Sequence, residues 1–372
     1  MINLNWKNKI VRISLLISIF LFPILSYRIG LSSVPAGGTY YLDVPFGTAD
    51  YYFSHFDNGS VYSINGDTWR ATVSENASAL MNSAIDSFDS NGGTLHFDVG
   101  NFTLSGQVQI VNKPIAIIGS SWGQSAGIYR GGTRFIAEDN FSANSTFYVS
   151  GTSSEKCTLY FKDFILDGNR DNQIASIDGI LCSTGYTRES VFEGLALIYI
   201  NGHPLKVIGT GNQNFWIKRC QIESSDKDVF LYIGYNFYLS ESYIFNLDRS
   251  GLYIRGGFGY HIESTRFFYN YYHGLWVADA QDVTITGCTY GSNNRDGGAF
   301  NSIDLDNINC SAITGCTSRA YAGAVQPQDC VYGDSNCDYI TIVGNTFIDY
   351  DVNQTYFAGG ANSNGEVDHN AG

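Results

Sequence analysis

The sequence predicts an all-β, single-stranded right-handed parallel β-helix, a solenoid with a short N-terminal capping helix and a small N-terminal β-hairpin lead-in. Two observations predict this fold: short apolar strands recur at near-regular spacing through the second half of the chain, and helical periodicity is almost absent there. The composition agrees with it. The 372 residues include 41 Gly, 26 Tyr and 24 Phe, and charged residues make up only 15%, against about 25% in ordinary soluble domains.

The overall charge excludes some classes of partner. Lys and Arg number 21 against 35 Asp and Glu, which gives a formal net charge of −14. Binding to nucleic acid requires a basic surface that neutralises phosphates, so nucleic acid is not expected as a partner. The same acidity argues against an anionic membrane surface. The hydrophobic content of 44% excludes wholesale disorder.

The N-terminus reads as an export signal. Residues 1–26 contain three basic side chains followed by the apolar run Ile13–Leu25, which is short for a spanning helix. We expect a cleaved signal peptide, with a retained N-terminal anchor as the alternative, and a protein that is secreted or held at the extracellular cell surface. Beyond that anchor no membrane contact is expected. Residues 27–74 follow as lead-in hairpins.

The solenoid begins with a cap. Ser78–Phe88 places apolar residues at helical spacing and ends before a Gly-Gly pair, which predicts a short amphipathic helix. Such a helix protects the first coil from pairing with other strands. Apolar strands starting at Gly93, Val108 and Ile115 then form the opening coil.

The repeat itself has the form apolar-x-x-z-x-apolar, where z is usually a small, polar or Cys residue. Successive copies start 22 to 31 residues apart, and each of the earlier ones is followed by a second short strand with alternating apolar residues. We assign residues 75–360 to the β-helix and 361–372 to a flexible C-terminal tail. The sequence does not indicate an oligomeric state. Copies start at Phe161, Phe192, Ile217, Leu239, Ile262, Ile285, Ile313 and Ile342.

The eight cysteines lie in the repeat region, and none belongs to a Cys-x-x-Cys pair. Export would permit disulfides. Cys288 and Cys316 occupy the z position of adjacent coils, so a thiol ladder or a disulfide is expected there rather than catalysis. Several Asn-x-Ser/Thr sequons make the exported chain a candidate glycoprotein.

The start of the solenoid resembles a known family. The helix, the Gly93-Thr strand, Gly100-Asn-Phe-Thr-Leu, the apolar triplet and Ile118-Gly119 are similar to the opening of the pectate-lyase-like superfamily of right-handed β-helices. The resemblance covers residues 75–355 and implies the fold. That superfamily includes hydrolases, lyases and epimerases of polysaccharides, phage depolymerases and inert surface proteins.

The more specific motifs of the superfamily are absent from the sequence. Polygalacturonase-type hydrolases carry an Asp-Asp pair, Gly-His-Gly and Arg-x-Lys, whereas this chain has only Gly202-His203-Pro204. Calcium-dependent pectate lyases carry Arg-x-Pro-x-x-Arg, and no Arg-x-Pro occurs. The resemblance therefore does not assign either activity.

Ionisable residues recur just before the second strand of each coil. Stacked coils would place them in a column at about 4.8 Å spacing, where His and Asp side chains suit acid–base chemistry on a glycan. The alternative is that these side chains cap turns. If Val229 points inward, Lys227 rather than Asp228 occupies the column. The candidate catalytic residues are His203, Asp228 and His273, with Arg249 as a carboxylate clamp.

Aromatic and basic residues at outward strand positions form candidate binding rows. Exposed rings suit the apolar faces of sugars, although covering loops would explain them equally well. The candidate substrate-binding residues are Lys206, Trp216, Tyr238, Tyr253, Arg255 and Trp276.

One turn has alternating oxygen-bearing side chains, at Asp167, Asn169 and Asp171. An EF-hand would need Gly where Asn172 stands and two flanking helices, so that motif fails. The turn is a candidate calcium site or an ordinary β-helix turn. The stretch that contains Asp304 and Asp306 has the same two interpretations.

The sequence thus predicts a secreted or cell-surface protein that binds a polysaccharide or cell-surface glycan. It is compatible with a polysaccharide lyase or a glycoside hydrolase. The alternative is a non-catalytic module for surface adhesion or structure.

Overall fold

Three parallel sheets, each receiving one strand from every coil, wind the chain into a β-helix of about ten coils. The predicted fold class is confirmed. The computed structural model describes residues 40–41, 50–56, 60–68, 70–125, 128–183, 185–319, 327–348, 353–358 and 366–367. The expected signal segment, 1–26, lies outside the described residues.

Sheet I carries the shortest strands, many of three residues, and follows the repeat position z. Its neighbouring strands pair in parallel from the first coil to the last. Its strands are Gly100–Leu104, Ile128–Ala137, Phe164–Asp167, Ala196–Ile198, Gln221–Glu223, Tyr243–Phe245, Arg266–Phe268, Thr289–Gly291, Thr317–Arg319 and Thr346–Ile348. Trp122–Ser125 pairs antiparallel with the start of the second of these strands.

In most coils, sheet II follows the longest loop. It contains the strands that the sequence predicts as the second strand of each repeat. Its strands are Val108–Val111, Ser145–Ser150, Asp178–Cys182, the first part of Leu205–Lys218, the first part of Val229–Ser240, Leu252–Arg255, Leu275–Ala278, Ile303–Asp306, Asp329–Gly333 and Asn353–Phe357.

Sheet III completes each coil. The second parts of the two long strands, Leu205–Lys218 and Val229–Ser240, belong to sheet III and connect it directly to sheet II. Its last strand pairs with Thr341 and Ile342, so pairing continues into the segment expected to be a tail. Its other strands are Gly93–Phe97, Ile115–Ile118, Leu159–Lys162, Arg188–Glu193, Phe258–Glu263, Gln281–Thr286, Asn309–Thr314, Asp338–Val343 and Glu366–Val367.

The N-terminal cap consists of a meander and a helix. Tyr51–His55, Val61–Asn65 and Arg70–Ser74 are antiparallel, Tyr40–Tyr41 pairs with the last of them, and the first pairs in parallel with sheet III. The predicted capping helix spans Ala77–Ser87, one residue from its predicted start and end.

Side-chain and backbone contacts fix both ends of this helix. The side chain of Asn76 accepts a hydrogen bond from the backbone N–H of Ala79 at 3.1 Å, as a helix N-cap does. At the other end, the Lys113 Nζ atom donates to the backbone oxygens of Ile85 and Phe88, at 3.0 and 2.6 Å. The helix is therefore tied to the loop before the second strand of sheet III.

A single residue turns the chain from sheet III into sheet I. It has φ between 48° and 68° in eight successive coils, the left-handed conformation, which favours Gly, Asn and Asp. The small z residue follows it. Ser242, for example, donates from its hydroxyl to the backbone oxygen of Ser240 at 2.7 Å and accepts from the N–H of Cys220 at 3.1 Å. The bend residues are Asp163, Gly194, Arg219, Glu241, Ser264, Gly287, Gly315 and Gly344.

Apolar side chains from all three sheets fill the interior. In the early coils the filling is mostly phenylalanine: Phe97, Phe135 and Phe164 are fully buried and contact one another in sequence at 4.8 to 5.0 Å between ring centroids. Edge-to-face pairs of this kind add to the hydrophobic contribution of burial.

None of the cysteines forms a disulfide. All eight side chains are thiols, and only Cys310 is exposed. Cys288 and Cys316 stack as reduced thiols, each donating to the backbone oxygen two residues earlier, at 3.6 and 3.5 Å. Of the two predicted alternatives, the structure contains the thiol ladder and no disulfide.

Candidate functional site

The outer face of sheet II carries a row of side chains that runs across its coils. Strand register aligns the row, whose members are Lys206, Phe230, Tyr253, Trp276, Asp304, Tyr332 and Tyr356. The rings of Tyr253 and Trp276 stack at 4.1 Å with an interplanar angle of 13°. Those of Tyr332 and Tyr356 stack at 5.7 Å and 23°. A single carboxyl group, that of Asp304, interrupts this aromatic row.

Asp304 is nearly enclosed, with 7% of the residue exposed. Its Oδ2 atom accepts a hydrogen bond from the Asn301 Nδ2 atom at 2.6 Å and lies 3.4 Å from the His273 Nδ1 atom. Burial raises the pKa of this carboxyl from 3.8 to about 7, against the lowering effect of the Asn301 hydrogen bond and with a smaller contribution from the negative charge of Asp306. At neutral pH a substantial fraction of Asp304 is therefore protonated.

His273 packs beside this carboxyl and lies two residues before the strand Leu275–Ala278. Its Nδ1 atom accepts a hydrogen bond from the backbone N–H of Asn301 at 3.0 Å, and its ring packs edge-on against Phe300 at 5.1 Å. Burial lowers the pKa of His273 to about 4. The ring is consequently neutral at pH 7.

Asp306 lies two residues after Asp304 on the same face of the strand. Its Oδ2 atom accepts a hydrogen bond from the Trp276 Nε1 atom at 2.7 Å. Burial raises the pKa of Asp306, opposed by the Trp276 hydrogen bond, and the nearby carboxylates of Asp334 and Asp279 also raise it.

A second cluster surrounds His203. The His203 Nδ1 atom lies 2.9 Å from the Asp228 Oδ1 atom and 2.8 Å from the backbone oxygen of Asp228. The Asp178 carboxylate accepts the backbone N–H of His203 at 2.9 Å and lies 3.2 Å from the Lys206 Nζ atom. By accepting this backbone hydrogen bond, the Asp178 side chain caps the turn.

Of the two registers that the sequence allows near Asp228, the structure has the one that places Lys227 in the column. Lys206 pairs with Phe230, so Lys227 lies level with His203, and Val229 is buried. The Asp228 carboxylate nevertheless reaches His203 from one position further along the chain.

The predicted catalytic residues thus fall into separate groups. His203 and His273 lie three coils apart, about 14 Å at 4.8 Å per coil, and cannot act on one bond. Arg249 is exposed and lies over the Tyr272 ring at 5.2 Å. Its described contacts are with Tyr272 and not with either histidine.

The predicted binding residues also divide between two faces. Lys206, Tyr253, Trp276 and the exposed Arg255 belong to sheet II. Trp216 and Tyr238 belong to sheet III, where their rings stack at 5.5 Å and 4°.

The contacts at the predicted calcium turn are those of an ordinary turn. Asp167 bonds the Arg134 guanidinium and accepts the backbone N–H of Asn169 at 2.8 Å. The Asp171 side chain is 94% exposed and lies 3.7 Å from Arg170. Across the described ranges, no three His, Cys, Asp or Glu side chains form a group that could hold a metal ion. No helix among these residues is long and apolar enough to cross a membrane.

The sequence pattern does not indicate Asn301 or Phe300, and it indicates Asp304 only as a candidate calcium ligand. One signal could have found the carboxyl: in Ile303-Asp-Leu-Asp306, both acids alternate with buried residues, which places them on the outer face.

Three comparisons with known proteins bear on this architecture. A family model described as "right handed beta helix region" matches residues 170–347. No curated protein matches the chain. Among solved structures, the A-module of mannuronan C-5 epimerase AlgE4 from Azotobacter vinelandii is 14% identical, with a TM-score of 0.50 over 79% of this chain and 96% of that one.

Two further solved structures have the same fold. DFA-IIIase from Arthrobacter chlorophenolicus A6, in complex with GF2, is 12% identical, with a TM-score of 0.51 over 77% of this chain and 89% of that one. The pre-mature gene product 12 of bacteriophage phi29 is 13% identical, with a TM-score of 0.50 over 76% of this chain and 45% of that one. At these identities the similarity establishes the fold.

Proposed function

We propose that this right-handed parallel β-helix protein, whose sequence resembles the pectate-lyase-like superfamily, binds an extended polysaccharide along the outer face of sheet II. The polymer would be an extracellular or cell-surface glycan, because residues 1–26 have the sequence of an export signal. The glycan would lie parallel to the solenoid axis and cross one coil after another.

The observation that carries this proposal is the aromatic row on sheet II. Phe230, Tyr253 and Trp276 stand on three successive coils and are all partly exposed. Tyr332 and Tyr356 continue the row beyond Asp304. Partly exposed rings in a line provide apolar area together with tyrosine hydroxyl groups, which is what a sugar chain requires.

The charge of the protein limits the kind of polymer. With a net charge of −14, and with Asp304 and Asp306 in the middle of the face, a polyanion would be repelled unless cations bridged it. A neutral or cation-coated glycan is therefore the proposed ligand.

The named neighbours support a carbohydrate ligand without identifying it. One is an epimerase of mannuronan, and another is DFA-IIIase in complex with GF2. Both share the fold at low identity, so the evidence for the ligand is the aromatic row on sheet II.

Affinity electrophoresis through gels that contain a neutral polysaccharide tests the proposal. Trp276→Ala should weaken retention about threefold to tenfold, since an aromatic contact is worth about 0.5–1.5 kcal/mol. The matched control is Trp216→Ala, which removes a stacked tryptophan from sheet III and should leave retention unchanged. Loss of retention in the control alone would move the binding face to sheet III and contradict the proposal.

A further inference from the structure

We propose that Asp304 and Asp306 form a glycoside-hydrolysing pair on this face, with Asp304 as proton donor and Asp306 as base, and that the reaction inverts the anomeric configuration of a neutral glycan. This inference rests on the proposed binding of a glycan along sheet II. It adds a reaction, a substrate class and a stereochemical outcome to that binding.

The spacing of the two carboxyl groups supports inversion. Both residues belong to the strand Ile303–Asp306 and point away from the buried Ile303 and Leu305. Two residues along a strand span about 6.6 Å, which falls in the range of about 6.5–9.5 Å that leaves room for a water molecule between the acid and the base of inverting glycosidases. Asp304 lies directly between Trp276 and Tyr332 in the proposed sugar-binding row, and Asp306 lies in the adjacent outward row, paired with Ala278.

The contacts of Asp304 suit a proton donor. Its Oδ2 atom is held by the Asn301 amide and faces the neutral His273 ring. Its Oδ1 atom has no partner among the described residues and is not fully enclosed, so it is available to a glycosidic oxygen. The raised pKa of Asp304, about 7, keeps a substantial fraction of the group protonated for that transfer at neutral pH.

The contacts of Asp306 suit a base. Its Oδ2 atom is fixed by the Trp276 indole N–H at 2.7 Å, and the half-buried side chain leaves Oδ1 without a partner in the described part of the chain. The same indole stacks on Tyr253. The base is therefore positioned by the ring that would carry the neighbouring sugar.

The reaction consumes one water molecule. Its oxygen attacks the anomeric carbon from the side of Asp306, which accepts the proton of the water. Asp304 donates its proton to the departing glycosidic oxygen as the carbon–oxygen bond breaks. The products are a hemiacetal with inverted configuration and a free alcohol, and one proton returns through solvent from Asp306 to Asp304.

Local charge favours hydrolysis of a neutral sugar over β-elimination from an acidic one. The ionisable groups around the pair are His273, Asp279, Asp329, Asp334 and Tyr332, none of them cationic at neutral pH. Among the outward-facing residues of the sheet II strands, the nearest cation is Arg255. It lies two coils from Asp306, at the equivalent strand position. A lyase needs cations to stabilise the carboxylate beside the abstracted proton, and this site provides carboxylates instead.

The test is a panel of xylan, galactomannan, hydroxyethylcellulose and amylose, with alginate and polygalacturonate as acidic comparators. Release of reducing ends and the ultraviolet absorbance of unsaturated uronates are measured for the wild type, Asp304→Asn, Asp306→Asn and the control Asp282→Asn, an exposed carboxylate on sheet III. We expect hydrolysis of a neutral polymer, a loss of about 100-fold or more in Asp304→Asn and Asp306→Asn, and an unchanged rate in the control. Proton NMR of the first product should show the inverted anomer.

Binding and catalysis fail in different ways in this experiment. If the wild type is retained by panel polymers in affinity gels and releases no reducing ends, the hydrolytic pair is wrong and the proposed binding stands. If no polymer is retained, the proposed binding fails and the pair with it. Unsaturated products, a retained anomer, or activity that chelation abolishes and calcium restores would each overturn the assignment, and thermal melting identifies any variant that fails to fold.

Discussion

The Nδ1 atom of His273 accepts a hydrogen bond from the backbone N–H of Asn301 at 3.0 Å. An imidazole nitrogen that accepts a hydrogen bond carries no proton, so the neutral ring holds its proton on Nε2. Asn301 also bonds the Asp304 Oδ2 atom through its side chain. One asparagine thus fixes the tautomer of the histidine and the orientation of the carboxyl.

This relationship predicts the titration of His273. Because burial lowers its pKa to about 4, nitrogen-15 NMR of the imidazole should show the Nε2–H tautomer at pH 6 and a midpoint near pH 4. His261, which is exposed on sheet III, provides the comparison signal in the same spectrum. A midpoint above pH 6 for His273, or an Nδ1–H tautomer, would contradict the observed contact.

Asp304 predicts a stability change with pH. Its pKa rises from 3.8 to about 7 on folding, so the folded state binds more protons between these values. The group therefore lowers the free energy of unfolding as the pH rises through that window. Asp304→Asn should gain stability relative to the wild type between pH 4 and pH 8, on the order of 4 kcal/mol at about 1.4 kcal/mol per pKa unit. Urea unfolding of both proteins at several pH values measures the difference, and a difference that is independent of pH would refute the shift.

The cap depends on Lys113. Lys113→Met removes a cation that donates to the backbone oxygens of Ile85 and Phe88 at 3.0 and 2.6 Å. We expect a loss of about 1–2 kcal/mol in the free energy of unfolding, since hydrogen bonds to charged groups contribute about 1.5–3 kcal/mol. Lys156→Met, which changes an exposed lysine, is the control and should stay within about 0.5 kcal/mol. Equal stability of the two variants would show that the helix end does not need Lys113.

Thiol counting tests the absence of disulfides. Only Cys310 is exposed, and burial raises the pKa of Cys220 and Cys337 to about 12, which suppresses their reactive thiolate form. The native protein should therefore react with one equivalent of a disulfide reagent, and the denatured protein with eight. Cys310→Ser should abolish the native reaction. A count of six in denaturant, without added reductant, would reveal a disulfide.

The fold is predictable from the sequence because each coil repeats the same local requirements. A left-handed bend residue, a z residue that is usually small, such as Ser242, and an alternating strand recur in most coils. These are short-range patterns, so the β-helix and its capping helix can be located without tertiary information.

The candidate site is less predictable, because it depends on loop length and burial. His203 and Asp228 belong to corresponding turns of successive coils, so their proximity follows from the repeat. The proximity of His273 and Asp304 does not follow from the repeat in this way. Equivalent positions in the preceding coils are 23 residues apart, whereas 28 residues separate His273 from Asn301. This longer loop hides the register of Asp304, and the enclosure that makes Asp304 an acid comes from neighbours distant in sequence.

The left-handed bends between sheets III and I have a consequence for how such chains change in length. Ser264 and Gly287 adopt the same backbone conformation 23 residues apart. Deleting the segment between them would join two equivalent bends, and the strands of the coils on either side would remain in register. Relatives should therefore differ by entire rungs, and the number of sugar units that the surface spans should vary in the same whole steps.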